Sequence, residues 1–357
     1  MSGGVDSSVC AGLLLEQGYE CSGVMMRLHD DLIDCHENAC CKKSDIADAY
    51  GVAQMLGIPF RVVDFAEAFE REVIEDFCAA YEQGLTPNPC IVCNRHIKFG
   101  LLHELAHREG YDYIATGHYA RNEQGQDGLW QLKRGLDRKK DQSYVLHMAT
   151  QEHLSHLLLP LGALTKAEVR DHAARLGLKT AQKAESQDIC FVGDEGYVDF
   201  LEKRRGGAFE AGPIVSVRGE LLGKHRGLAA YTEGQRKGLG ISAPHPLYVL
   251  ERRSKDNTLV VGSREELGVR SLVVCRVNWI SGQAPASGTQ LDVVVRYQGK
   301  AYSAHVFSGE TTDSCRLELD EPCCELAAGQ SAVLYQDDVV LGGGTICRPA
   351  RGTADIV

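Results

Sequence analysis

Apolar positions in the first 205 residues fall into two alternating periods. Val9, Leu13 and Leu14 recur at helical spacing and predict a helix over residues 5–17, followed by a strand at 22–26. The same reasoning predicts a helix at 44–56 ending at Gly57, a strand at 59–63 and a long helix from 64 to about 81. A strand at 113–115 runs into Thr116-Gly117-His118. A later helix at 165–176 opens on Thr165 and Glu168, which have capping-box spacing. Strands alternating with helices predict an α/β unit: a mainly parallel sheet with helices on both faces.

The texture changes near Arg204-Arg205-Gly206-Gly207. Glycine becomes frequent, and short runs at 247–250 and 258–261 predict a small β-rich central domain. Alternation then sharpens at 291–297, 301–307, 315–319 and 331–335, predicting a compact antiparallel β-barrel. The expected domains are 1–205, 206–270 and 271–357.

At 357 residues the chain can bury a core without disulfides or structural metal, and 44% hydrophobic with 24% charged residues is ordinary globular composition. Lys+Arg of 38 against Asp+Glu of 49 leaves a net charge of −11, so a polyanionic partner has to be met by local basic patches. Two segments offer them: Lys133-Arg134 with Arg138-Lys139-Lys140, and Lys203-Arg204-Arg205 with Arg218, Lys224, Arg226, Arg236 and Lys237. Asp64, Glu67, Glu70, Glu72, Glu75 and Asp76 gather the opposite charge on one predicted helix. No apolar run approaches the roughly 20 residues of a membrane-spanning helix, and the first residues lack a secretory pattern. A cytosolic setting follows as the expectation, so the 14 cysteines are read as thiols, ligands or nucleophiles rather than a disulfide framework.

Ser2-Gly3-Gly4-Val5-Asp6-Ser7-Ser8 carries the clearest chemistry. Glycines let backbone amides turn inward, the following helix N-terminus offers N–H groups to an anion, and the serines add hydroxyls. It is not a Walker A loop, because no Gly-Lys-Ser/Thr follows. Such a loop ordinarily follows a central strand, and here nothing precedes it, so we expect the natural start to lie upstream of Met1.

The loop resembles the pyrophosphate loop of the ATP-pyrophosphatase superfamily. Within it, the chain resembles the bacterial tRNA-specific 2-thiouridylase (MnmA) family nearly end to end: TPNPCIVCNRHIKFG (86–100), TGHYA (116–120), KKDQSYVL (139–146), ESQDICFV (185–192), GQRKGLGI (234–241), then GQSAVLY and LGGGTI. The resemblance implies a nucleotide-hydrolase-like α/β domain, ATP with Mg²⁺, and adenylation then thiolation of the tRNA wobble uridine. It assigns Met1, Ser2, Gly3, Gly4, Val5, Asp6, Ser7, Met26 and Gly117 to the nucleotide. To tRNA it assigns Asn88, Pro89, Cys90, His118, Lys140, Asp141, Gln142, Arg296, Tyr297 and Gln330. A sulfur-donor protein, either a cysteine desulfurase or a relay protein, is the second implied partner.

Cys93 and Cys190 match the family's two chemical cysteines. The resemblance implies that Cys190 receives sulfane sulfur as a persulfide, that Cys93 attacks it, and that a Cys93–Cys190 disulfide is left. Position 90 departs from the pattern, since many members carry Asp where this chain has Cys90. The change creates a C-x-x-C and leaves two alternatives: a plain persulfide relay, or a 4Fe–4S cluster on Cys90, Cys93 and Cys190. Zinc lacks an obvious fourth ligand beyond His96. Cys10, Cys21, Cys78, Cys275, Cys315 and Cys347 read as small buried apolar residues, and Cys323-Cys324 as part of a barrel turn. Cys35, His36, Cys40 and Cys41 match no standard zinc spacing and read as a surface loop near the nucleotide. Two other function classes share parts of this pattern: a ligase or amidotransferase adenylating a small carboxylate, and an RNA- or iron–sulfur-binding module without catalysis.

Overall fold

A computed structural model describes residues 1–29, 43–178, 180 and 189–347. The Cys35–Cys41 stretch and Glu185-Ser186-Gln187-Asp188 lie outside the described residues. The chain opens on α1 (Val5–Glu16), β1 (Gly23–Arg27), α2 (Lys43–Leu56) and β2 (Phe60–Asp64). Helix α3 (66–82) and helix α4 (89–108) follow, each containing a π-helical stretch, at Glu70–Ile74 and Asn94–Leu102. Then come β3 (Ile114–Ala115), β4 (Ala120–Gln124), β5 (Trp130–Arg134), α5 (Gln151–Ser155), β6 (Leu157–Leu158), α6 (Lys166–Arg175) and α7 (Tyr197–Arg205). The expected capping box is present: Thr165 Oγ1 accepts from the Glu168 N–H, and the Glu168 carboxylate accepts from the Thr165 N–H at 2.7 Å. A central sheet joins β7 (Gly212–Ser216), β8 (Leu221–His225), β9 (Tyr248–Arg253) and β10 (Thr258–Gly262) in the order β8-β7-β10-β9. After α8 (Arg264–Leu267), six strands close the barrel: β11 (Val269–Trp279), β12 (Thr289–Val294), β13 (Ala301–Ser308), β14 (Ser314–Cys323), β15 (Ser331–Gln336) and β16 (Val339–Ile346). Antiparallel β11–β16 pairing completes the ring, as the alternation predicts.

Four features differ from expectation. Among the described residues, parallel pairing is present in two separate ladders, β1–β2 and β3–β6, rather than one sheet. The first residues sit between them: the Met1 amino group donates to the Val24 carbonyl, and Gly117 lies against Asp6 and Ser7. The hairpin β4–β5 was not expected, because its strands read as mostly polar; β5 pairs with β16 through Val339 and Lys133. Finally, Cys275 and Cys347 are disulfide-bonded, which corrects their reading as buried thiols. The Cys347 N–H donates to the Val273 carbonyl at 2.9 Å, bringing the end of the barrel alongside β11. Cys323 ends strand β14 and is fully buried, so only Cys324 belongs to the turn.

The core is continuous between units. Ile91, Phe99, Ile114 and Tyr144 of the first unit pack in one cluster with Ile280, Val294, Val333 and Tyr335 of the barrel. Phe77 and Tyr81 of α3 pack with Leu201 of α7 and Ala229 of the central unit. Apolar surface removed from water on both sides of each junction fixes the three units against one another.

Candidate active site

The glycine turn is held from all sides. Gly3 has φ +70°, and a Cβ there would lie 2.5 Å from the Asp45 carbonyl oxygen of α2, so both backbone sign and space require glycine. Ser2 N–H donates to Ser7 Oγ at 3.0 Å, which closes the turn on itself. Gly4 caps α1 with no side-chain hydrogen bond, leaving the first amides of a 12-residue helix without a competing side-chain acceptor. Asp6 is gripped by two residues outside the motif: Lys166 Nζ of α6 lies 2.8 and 2.9 Å from its two oxygens, and the Tyr119 hydroxyl donates to it at 2.7 Å. Sequence reasoning used the cap of α6 and missed its lysine; Tyr119 lay in plain view within TGHYA. At Gly117 a Cβ would meet the Asp6 carbonyl carbon at 2.9 Å, so the turn itself demands this glycine. His118 faces inward from the same segment, with Thr116 Oγ1 at 2.8 Å from Nδ1 and Lys98 Nζ at 3.3 Å from Nε2. Burial, with the Lys98 charge adding, holds its imidazole well below the ordinary range and so neutral.

The TPNPC segment is the meeting point of all three units. Thr86 N–H donates to the Ala328 carbonyl at 2.8 Å, and Gln330 Nε2 donates to the Thr86 and Pro87 carbonyls at 2.9 and 3.2 Å. From the central sheet, Arg252 Nη2 donates to Thr86 Oγ1 at 2.7 Å. Gly329, at φ +91°, lets the barrel backbone come this close, since a Cβ would meet Thr86 N at 2.9 Å. Beyond this anchor Asn88 caps α4 by accepting the Cys90 N–H at 3.2 Å, and Pro89 occupies the first helical position, where no N–H is needed. Arg252 is fully buried within a strand, and no periodicity marks it as a contact to this loop.

Helix α4 then separates its thiols. Cys90 is exposed, whereas Cys93 packs against the apolar cluster of Leu28, Phe69, Val73, Ile74 and Ile97. Cys190 packs against the same cluster from a turn closed by the Val192 N–H on the Ile189 carbonyl at 3.0 Å, and Met26 of β1 joins it. Cys93, Cys190 and the strand beside the glycine turn are therefore on one side of the unit. No group of three or more His, Cys, Asp or Glu side chains among the described residues is placed to hold a metal. The described residues therefore lend no support to the 4Fe–4S alternative. Cys78 also packs here, its thiol pushed up by burial.

On the exposed side of Cys90 lies the barrel loop between β12 and β13. Tyr297 is exposed, with its ring 6.1 Å from that of Tyr144, and partial desolvation pushes its hydroxyl up, with Asp141 and Cys90 adding their charge. Gln298 Nε2 donates to the Lys139 carbonyl at 3.4 Å, and Arg296 pairs with Glu325 at 3.2 Å. Asp141 accepts the Gly135 and Ser143 N–H groups at 2.9 and 3.1 Å, while Gln142 accepts the Tyr119 N–H at 3.0 Å. Asp141 thus supports its own loop, while Gln142, Arg296 and Gln298 tie theirs to other segments. The basic segments are partly neutralised: Lys133 pairs with Glu123 at 2.7 Å, Arg138 with Asp338, Lys203 with Glu195 and Arg204 with Glu70. Arg205, Arg218, Lys224, Arg226, Arg236 and Lys237 are exposed.

Three family profiles tile the chain: the tRNA methyl transferase HUP domain over residues 1–194, the tRNA methyl transferase PRC-barrel domain over 198–263, and the aminomethyltransferase beta-barrel domain over 269–346. A protein named tRNA-specific 2-thiouridylase MnmA from Moorella thermoacetica is 47% identical over 352 residues, covering 97% of this chain and 98% of that one. Relatives of the same name from Chloroflexus aurantiacus and Geobacter metallireducens are 45% and 46% identical, covering 98% and 97% of this chain and 97% and 95% of their own. Among solved structures, NMN synthetase from Francisella tularensis overlaps with a TM-score of 0.33 and 16% identity, covering 58% of this chain and 76% of that one, too distant a likeness to bear on the site. With its glycine turn, paired thiols and all three domains matched over nearly its full length, the chain belongs to the tRNA-specific 2-thiouridylase MnmA family.

Proposed function

We propose that this protein is an ATP-dependent tRNA-uridine 2-sulfurtransferase acting on the wobble uridine of tRNA, with domains at 1–205, 206–270 and 271–357. The observation that carries the reading is the packing of Cys93 and Cys190 in one apolar cluster with Met26, next to the strand that flanks the glycine turn. A uracil carbonyl is a poor electrophile. Placing the ATP phosphates on the α1 amides, Ser2 and Ser7 lets the uridine O2 attack the α-phosphorus, and pyrophosphate leaves. Mg²⁺ enters with the ATP phosphates and supplies charge neutralisation there; no residue of this chain is assigned to it. Lys166 keeps the Asp6 carboxylate engaged, so the turn presents a less anionic face to the nucleotide.

The O-adenylated ring carbon is then open to sulfur. Cys190 carries a persulfide taken from a sulfur-donor protein; the Cys93 thiolate attacks Cys190 Sγ, a Cys93–Cys190 bond forms and hydrosulfide leaves. Hydrosulfide adds to C2 and AMP departs, giving 2-thiouridine. Phe69, Ile74, Ile97 and Phe191 around the thiols limit water at this step. A base in an anticodon loop breaks no pair when it turns toward Tyr297 and Cys90, and aromatic side chains suit an unstacked base. Asn88, Pro89, His118, Lys140, Asp141, Gln142, Arg296 and Gln330 are the further residues assigned to tRNA. The carboxylate-ligase alternative accounts for neither the two thiols nor the barrel loop near Cys90.

The test combines nucleoside mass analysis with pyrophosphate release, using tRNA, ATP and a persulfide donor. Wild-type protein is expected to form 2-thiouridine. Cys93→Ser and Cys190→Ser are expected to release pyrophosphate with tRNA present but to lose thiolation at least a hundredfold. Pyrophosphate release with a small carboxylate and without tRNA, in the absence of any thiolated nucleoside, refutes the reading.

A further inference from the structure

The relay proposed above ends each cycle with Cys93 and Cys190 joined, both packed against the Phe69–Ile74–Ile97 cluster and half-buried. A reductant arriving from solvent meets a different thiol first. Cys90 is exposed, and it stands one turn before Cys93 on the same helix. Residues three apart on a helix have Cα atoms about 5 Å apart, inside the 4.4–6.8 Å span that a disulfide accepts. The segment is well fixed for such an exchange: Asn88 holds the Cys90 N–H, and Gln330 holds the two carbonyls before it. Cys90 is also close enough to Tyr297 of the barrel for its charge to act on that hydroxyl.

We propose that Cys90 is the resolving thiol of the cycle, an inference that rests on the relay reading. The Cys90 thiolate attacks Cys93 Sγ. A Cys90–Cys93 bond forms as the Cys93–Cys190 bond breaks, and the electron pair leaves on Cys190, which takes the proton given up by Cys90. Nothing is oxidised or reduced overall in this step. Cys190 is thereby returned to accept sulfane sulfur, while the oxidising equivalent moves to the exposed end of α4. An external dithiol reductant then reduces the Cys90–Cys93 bond, delivering two electrons and two protons and becoming a disulfide itself.

The experiment uses full-length protein with Cys190 preloaded by polysulfide, given tRNA and ATP without thiol reductant, then acid-quenched, alkylated and mapped by peptide mass. Per mole of 2-thiouridine formed, wild-type protein is expected to hold mainly the Cys90–Cys93 disulfide with Cys190 alkylated. Cys90→Ser is expected to hold Cys93–Cys190 instead. With a thioredoxin-type dithiol protein and continuous sulfur supply, the ratio of steady-state rate to first-turnover burst should fall at least tenfold in Cys90→Ser and recover with a small dithiol at high concentration. Wild-type protein trapped as Cys93–Cys190, or an unchanged ratio in Cys90→Ser, overturns the proposal. If Cys90→Ser makes 2-thiouridine with no Cys93–Cys190 bond, the relay itself is wrong and this step falls with it.

Discussion

Lys166 reaches the glycine turn from a helix 160 positions later in the chain, and its ion pair with Asp6 is mostly shielded, the lysine side chain being 11% exposed and the aspartate 32%. A charge held this close to the α1 amides acts on whatever anion they bind. Lys166→Met is expected to lower ATP-dependent pyrophosphate release on the order of 10²-fold. The thermal midpoint should move little, because Asp6 keeps its bond from Tyr119 and a share of solvent. A radiolabelled pyrophosphate-exchange assay beside a melting curve separates the two; equal loss of both would make the lysine merely structural. Gly117→Ala addresses the same turn from the other side. Its Cβ would press on the Asp6 backbone at 2.9 Å, so nucleotide affinity, read by calorimetry with a non-hydrolysable ATP analogue, should fall at least tenfold.

Between elements, the decisive contact is the anchoring of residues 86–88. A helix that carries the proposed nucleophile needs its first turn fixed, and here Ala328, Gln330 and Arg252 fix it from two other units. Thr86→Val removes the hydroxyl that accepts from fully buried Arg252, and a buried charged donor losing its acceptor costs about 1–3 kcal/mol. Urea unfolding should show that loss, and the thiolation rate should fall while pyrophosphate release holds, since the glycine turn is built without Thr86. What the sequence could convey follows from range. Helix α6 was readable because its cap is local, Thr165 to Glu168, and the barrel because alternation is a property of each strand alone. Hairpin β4–β5 was not, for its partner β16 lies about two hundred residues away and its own strands alternate weakly. Cys93 and Cys190 were legible only through motif resemblance; their shared apolar cluster depends on α3 and α4 packing, which no window of sequence contains. The reading of Cys275 as a buried thiol failed for the same reason, its partner being 72 residues distant.

For the whole molecule, a net charge of −11 leaves contact with a polyanionic substrate to local cations, among them exposed Arg218, Lys224, Arg226, Arg236 and Lys237 of the central unit. tRNA affinity should therefore drop steeply with salt, and Lys139→Glu with Lys140→Glu should flatten the log–log slope by roughly one unit per lost phosphate contact, measured by filter binding. Stability depends on pH through the junction of first unit and barrel. His147 is fully buried there, its Nδ1 2.8 Å from the Tyr144 carbonyl oxygen and its own carbonyl accepting from Asn278 Nδ2 at 2.8 Å. Burial lowers its pKa from 6.5 to about 4, with the Arg95 charge acting in the same direction. Between those values the unfolded chain binds a proton that the folded one refuses. The stability contributed is thus complete above pH 6.5 and lost as pH falls toward 4. At pH 5 the loss amounts to roughly 2 kcal/mol, taking about 1.4 kcal/mol per pH unit. His118, also held neutral by burial, steepens the same limb. Urea titrations at pH 7 and pH 5 should show the wild-type free energy falling more than that of His147→Gln by about this amount; equal falls would mean that the junction admits a charged imidazole.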